Sequence, residues 1–172
     1  QKEGLYLAHQ FANQFFRKSL KETNEGKSVG LSYLKKRGYN LNTIDEFEIG
    51  YSPDDYNALE NEAKNSNYSL EPLKNSGLIK EGEKGTYDFF RGRIIFPIHN
   101  ITGRIIGFGG RTLRTDKKVA KYFNSPESEI YNKSNVLYGL FQSKSEIIKS
   151  DSCLLVEGYT DVVSLHHNGV KN

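Results

Sequence analysis

The chain has 172 residues, enough for one ordinary domain or two small ones. Eleven tyrosines and ten phenylalanines give it large apolar surfaces to bury, which argues against wholesale disorder. A single cysteine excludes an internal disulfide framework or a cysteine-based zinc cluster, no apolar run is long enough to span a bilayer, and the compartment expected is a reducing cytoplasm.

Residues 3–20 carry the clearest amphipathic helix. Leu5, Ala8, Phe11, Ala12, Phe15 and Phe16 form one stripe, with Gln10, Asn13, Gln14 and Arg17 turned away. Ser28 is expected to cap a second helix running to Lys36, stopped by Gly38. A short third helix begins at Asn42 or Thr43. Ser52-Pro53-Asp54-Asp55 then looks like the start of a fourth, with proline and acids in its first turn. Another covers 70–76 and ends at Gly77.

The period changes after Gly85. Strands are expected at Tyr87–Phe90, Arg93–Ile98 and Arg104–Phe108, the last two joined by the hairpin turn Asn100-Ile101-Thr102-Gly103. Strict alternation sends Ile94, Phe96 and Ile98 into the core and leaves Arg91 and Arg93 facing a groove or cleft. Pro97 asks for an unpaired edge position or a bulge. A short strand follows near Val119–Phe123, then a turn at Asn124–Glu127, and a helix within Leu137–Lys149. Cys153-Leu154-Leu155-Val156 reads as a buried strand, and Glu157-Gly158 turns into a helix over about 160–168. The fold class expected is α+β: N-terminal helices with a small mixed sheet over 1–137, then the opening of an α/β unit over 138–172. The absence of methionine, even at position 1, and an apolar pattern running to Asn172 suggest that both ends are cut.

Net charge is only +3, but residues 91–121 hold eight cations against Asp116: Arg91, Arg93, Arg104, Arg111, Arg114, Lys117, Lys118 and Lys121. That stretch nets +7 and leaves −4 for the rest. Such concentration suits either a solvated basic face or a phosphate-binding surface. Within it, Gly107-Phe108-Gly109-Gly110-Arg111 is neither a dinucleotide fingerprint nor a phosphate loop. It serves turn or bulge chemistry, or close approach of a ligand. Glu157 leaves a strand end, where open α/β sheets place ligand chemistry, and is either a surface acid or a metal ligand. Asp161 either points to the same cleft or offsets the helix dipole. His166 and His167 diverge on a helix and, like His9 and His99, are read as structural or surface residues.

Several of these segments occur together in one known family. Tyr87 to Ile98, Gly107 to Arg111, Ala120 to Glu127, Lys133 to Leu140 and Val156 to Val163 resemble, in that order, the catalytic core of bacterial replicative DNA primases of the DnaG type. Tyr33–Gly38 and Phe47–Pro53 fit the helical lead-in of that family. The last segment resembles the first acidic motif of its toprim domain, with Thr160 where methionine is frequent.

The resemblance implies synthesis of short RNA primers on single-stranded DNA from ribonucleoside triphosphates, by Mg²⁺- or Mn²⁺-dependent nucleotidyl transfer in a bacterial cytoplasm. It implies that Arg91, Arg93, Arg111 and Lys121 contact template or nucleotide phosphates. Lys121 and Arg111 would serve the catalytic centre beside Glu157, and Tyr122, Asn124, Ser125 and Glu127 would shape the neighbouring motif. Glu157 would be the toprim metal ligand, with Asp161 as a second candidate. Partners implied are the DNA template, the nucleotides, the RNA primer and, through a C-terminal region not represented here, a replicative helicase. Zinc is implied only for an N-terminal module not represented here. The chain stops before the family's further acidic toprim motifs, so the isolated piece is expected to be an inefficient enzyme. The rival readings are another toprim enzyme, such as a topoisomerase or nuclease, and a noncatalytic single-stranded nucleic-acid binding module.

Overall fold

A computed structural model describes residues 2–116 and 118–172; Lys117 of the basic stretch lies outside the described residues. The first helix, α1 (Lys2–Glu22), is followed by a wide π-helical turn over Gly26–Leu31 that runs into α2 (Ser32–Lys36). Then come α3 (Leu41–Glu46), β1 (Gly50–Ser52), α4 (Ala58–Asn65) and α5 (Leu70–Asn75). A hairpin, β2 (Ile79–Gly82) and β3 (Gly85–Asp88), precedes the longer strands β4 (Arg93–His99) and β5 (Ile105–Thr112). The short β6 (Tyr122–Asn124), α6 (Leu140–Ser150) and α7 (Tyr159–His167) complete the described order. This is the α+β arrangement expected, with one refinement. The main sheet runs β1-β4-β5-β6 and is antiparallel throughout rather than mixed.

β4 is buried along its whole length, because helices cover both faces of the sheet. On one side Ile95, Phe90 and Phe108 pack with Ala8, Ala12 and Phe16 of α1 and with Leu59 and Leu73 of α4 and α5. On the other, Ile94 and Phe96 pack with Leu34, Ile44, Phe47 and Val163. The alternation argument correctly sends Ile94 and Phe96 into a core. It fails on the opposite face, which is a second core and not a groove. Pro97 lies beyond the reach of β1, which pairs only with Arg93–Ile95, and next to a register shift at Ile98/His99.

Helix starts differ from expectation where distant groups supply the cap. Pro53 and Asp54 do not begin a helix. Their segment continues from β1, and α4 starts at Ala58, where the buried Asp88 carboxylate on β3 accepts from the Leu59 N–H (2.6 Å) and the Glu60 N–H (3.3 Å). Asn40, not Asn42 or Thr43, caps α3 by accepting from the Thr43 N–H at 2.9 Å. Ser28 caps nothing and lies inside the π-helical turn. Asn13 and His9 are buried with the apolar stripe of α1.

The segment 153–156 forms no strand. Leu154 and Leu155 are exposed, Cys153 is an exposed free thiol, and Leu154 N–H to Asn172 O (3.3 Å) is its interstrand-like contact. A buried strand needs a ladder of neighbouring backbone to pair with, and among the described residues this segment has that one backbone contact. By contrast α7 is firmly seated. The Tyr39 hydroxyl donates to Thr160 O (2.9 Å), Thr43 Oγ1 meets His167 Nδ1 (2.7 Å), and His166 Nε2 meets Glu46 Oε1 (2.7 Å). All four histidines make side-chain hydrogen bonds, as the structural reading requires.

Two buried groups give the fold opposing pH dependences. Burial against Phe108 pulls the His9 imidazole down to about 4, although its bond to Leu5 O works in the other direction. The unfolded chain therefore binds this proton more readily, and the stability that His9 contributes is lost as pH falls from 6.5 toward 4. Burial pushes the Asp88 carboxyl up to about 7, against the pull of its two N–H donors. Its contribution has the opposite sign: it is present at pH 4 and lost as pH rises toward 7. His9→Gln is expected to remove up to about 3 kcal/mol of acid-induced loss over that window, and Asp88→Asn to remove the opposing slope. Urea denaturation between those pH values measures both; parallel stability profiles for parent and variants would contradict the assignment.

Candidate nucleic-acid and nucleotide cleft

The chain between β5 and α6 and the turn into α7 enclose a cleft of about 1060 Å³. The first supplies Lys121, Tyr122, Asn124 and Ser125; the second supplies Glu157 and Asp161. Arg37, just past the end of α2, closes a third side.

Gly109 sets how closely these walls meet, and Gly110 faces the core on the other side of the sheet. A Cβ on Gly109 would lie 2.5 Å from the ring of Tyr159, and one on Gly110 would lie 2.6 Å from the ring of Phe90. The glycine-rich segment is thus regular strand, and what approaches its backbone is aromatic rings of the same chain. Tyr159 stacks on Phe96 at 5.5 Å, meets Tyr138 edge-on, and donates its hydroxyl to Asn124 Oδ1. Burial raises its pKa, so the hydroxyl remains a donor. Ser125 fixes the same wall: its Oγ accepts from the Phe108 N–H at 2.9 Å, and its own N–H donates to Phe108 O at 2.8 Å. Glu157 and Gly158 are therefore held at the cleft by the residue that follows them.

Arg93 is not a cleft cation. It is 4% exposed, and its guanidinium donates to Gly110 O (3.1 Å), Lys121 O (3.3 Å) and Ala120 O (2.9 Å) while lying 3.7 Å over Phe123. Burial, with repulsion from Arg114, pulls it down to about 10, so it stays charged at neutral pH. Three of its donors thus tie the chain before β6 to β5, and Lys121 O accepts from the Thr112 N–H (2.9 Å) as well. Arg91 lies outside the cleft, 4.2 Å over Tyr56 and 5.6 Å from Tyr87. Arg111 sits behind the cleft wall, 4.6 Å over Tyr33 and 5.8 Å from Tyr122, with one N–H on Thr112 O. Arg104 and Arg114 are paired with Glu3 and Asp54.

Tyr33 links Arg111 to Arg37, whose Nε donates to the Tyr33 hydroxyl at 2.6 Å. Arg37 lies far in sequence from the basic stretch, and no motif there marks it as a site residue. The structure brings it to the cleft because Tyr39, two residues on, holds α7.

Glu157 is exposed and makes no hydrogen bond or ion pair among the described residues, whereas Asp161 accepts from the Gly158 N–H at 3.1 Å and so caps α7. A free carboxylate is a suitable hard oxygen donor for Mg²⁺ or Mn²⁺. Among the described residues, however, no three His, Cys, Asp or Glu side chains converge to hold a metal. The donors present do not make a complete site.

A family model described as DNA primase catalytic core, N-terminal domain, matches residues 15–144. The chain belongs to this primase family. It is 43% identical over 172 residues to the DNA primase of Halalkalibacterium halodurans and 39% identical over 166 residues to that of Streptomyces coelicolor. It spans only 28% and 26% of the lengths of those two primases, while they cover 99% and 96% of it. The RNA polymerase domain of Mycobacterium tuberculosis primase DnaG, in complex with a double-stranded DNA oligomer bearing a 6-nucleotide overhang, superposes with a TM-score of 0.91 at 32% identity. That match covers 99% of this chain and 53% of the other. A DnaG primase catalytic domain bound to single-stranded DNA superposes with a TM-score of 0.86 at 36% identity, covering 99% and 54%.

Of the site residues expected from sequence, the cleft gathers Lys121, Tyr122, Asn124, Ser125, Glu157 and Asp161. It leaves Arg91 and Arg111 outside its lining and buries Arg93 in the scaffold. Arg93→Met is expected to destabilise the fold by roughly 3 kcal/mol by removing three hydrogen bonds from a charged donor. A loss of DNA affinity at unchanged stability would instead return Arg93 to the binding surface. Gly109→Ala is expected to cost about 1–3 kcal/mol by overpacking against Tyr159. Tyr159→Ala in the same chain should recover part of that cost, and additive losses in denaturation would rule out the contact.

Proposed function

We propose that this chain forms the template- and nucleotide-handling part of a bacterial DNA primase active centre. The enzyme would synthesise RNA primers on single-stranded DNA from ribonucleoside triphosphates. The observation that carries this reading is that Lys121 and Arg37 line one cleft with the free carboxylate of Glu157. Two cations facing a carboxylate across a groove suit a phosphate chain that must also reach a metal. Lys121 offers a mobile point charge to a phosphate, and Arg37 a planar fork whose orientation Tyr33 limits. Arg111, through Tyr33 and Tyr122, adds positive potential behind that wall.

Mg²⁺ or Mn²⁺, when bound, would activate the attacking 3′-hydroxyl and neutralise phosphate charge, with Glu157 supplying one of its oxygens. Asp161 serves first as the cap that orients the turn carrying Glu157. The division at 137/138 follows the same logic: the preceding residues bring the cations and those after it bring the acids. The helicase contact, the zinc module and the cytoplasmic setting belong to the same proposal for the whole enzyme, and no helix among the described residues is long and apolar enough to cross a membrane.

Lys121→Ala and Arg37→Ala are each expected to weaken binding of single-stranded DNA and to reduce its salt slope by about 0.7. In the full-length protein carrying these residues, Glu157→Gln is expected to lower primer synthesis by more than about 100-fold with DNA affinity retained. Synthesis that survives Glu157→Gln would refute the catalytic assignment. Binding without any synthesis in the full-length parent would favour a noncatalytic single-strand module.

A further inference from the structure

A second group of cations lies away from the stretch 91–121. Lys27, Lys35 and Lys36, with Leu31 and Ser32 between them, line a groove of about 520 Å³ along the π-helical turn and α2. All three lysines are exposed, and none is paired with an acid among the described residues. Lys18, Lys21, Lys64, Lys74 and Lys149, by contrast, each meet a carboxylate. The groove therefore keeps its positive field; other lysines, Lys121 among them, are also without an acid partner among the described residues, but here three such charges line one groove.

Packing explains why the lysines share a face. A Cβ on Gly26 would lie 1.8 Å from Ser19 O of α1, and one on Gly30 would lie 2.8 Å from the Leu20 side chain. The back of the turn is pressed onto α1. The wider helical winding then aligns Lys27 with Leu31, Ser32, Lys35 and Lys36 on the outer side, at spacings of four and five residues. Helix-end electrostatics accounts for Lys35 and Lys36 in the last turn of α2, but not for Lys27 at the other end of the groove.

We propose that this groove is a second phosphate-backbone site, which holds single-stranded nucleic acid where it passes out of the cleft. Lys36 is followed directly by Arg37, which lines the cleft, so the helix carries cations from one site to the other. From Lys27 to Lys35 the rise is about 12 Å, the length of roughly three to four stacked nucleotides. The floor offers one half-buried leucine and one hydroxyl, which suits a sugar-phosphate chain better than an apolar peptide face. The path past Arg37 rests on the reading of the cleft given above; the affinity of the groove itself does not.

The test compares oligothymidylates of about 6 and about 20 nucleotides, titrated by anisotropy at several salt concentrations, on the parent chain and its variants. The triple variant Lys27→Ala, Lys35→Ala, Lys36→Ala is expected to lose about tenfold on the longer oligomer, with the salt slope reduced by about 2, and to bind the shorter one as before. Replacing all three by arginine should keep parental affinity. Unchanged binding of the longer oligomer by the alanine variant overturns the proposal, as does equal displacement by polyglutamate of matched charge, which would point to an acidic protein. If Lys121→Ala and Arg37→Ala leave the short oligomer unaffected, the cleft reading fails, and the triple-variant result on the long oligomer still stands by itself.

Discussion

Tyr159 is gripped from three directions: by the flat backbone of Gly109 beneath its ring, by Phe96 stacked beside it, and by Asn124 at its hydroxyl. Each contact comes from the central sheet or its continuation, and the first depends on the missing side chain at Gly109. A side chain at 109 would crowd the ring. Because Glu157 and Gly158 immediately precede Tyr159, their position is inherited from this one docking event. The cleft is consequently a property of sheet–aromatic packing first and of charge second.

That order explains the division of labour among the cations. A guanidinium inside the scaffold, Arg93, ties three carbonyls together and holds the approach to β6, so that Lys121 can stand exposed beside it. Arg111 and Arg37 are arrayed around Tyr33, one by stacking and one by hydrogen bond. Charge density in a sequence counts such residues equally, although one of them serves carbonyls and the others face solvent or tyrosine rings.

Much of this was legible beforehand, and the failures share one cause. The amphipathic stripe of α1, the hairpin at Asn100–Gly103 and the helix after Gly158 are local signals, and they appear where expected. The family resemblance placed Lys121, Asn124, Ser125 and Glu157 in one site, and they do line one cleft. What misled was alternation in β4, which presumes one wet face, whereas α1 covers the face that carries Ile95. The cap of α4 was invisible because Asp88 is almost thirty positions further on. The expected strand at 153–156 was an inference from apolar composition, which cannot supply the neighbouring backbone that a strand requires.

The seat of α7 spans a great length of chain. Tyr39 reaches Thr160 and Thr43 reaches His167, contacts separated by 121 and 124 positions. Local helices and the hairpin can form while the polypeptide is still emerging from the ribosome, since their partners are close at hand. The acidic wall cannot join the basic one until nearly all of these residues have been made. The cleft cations Arg37 and Lys121 are therefore made before Glu157, and the two sides meet only when the last helix docks.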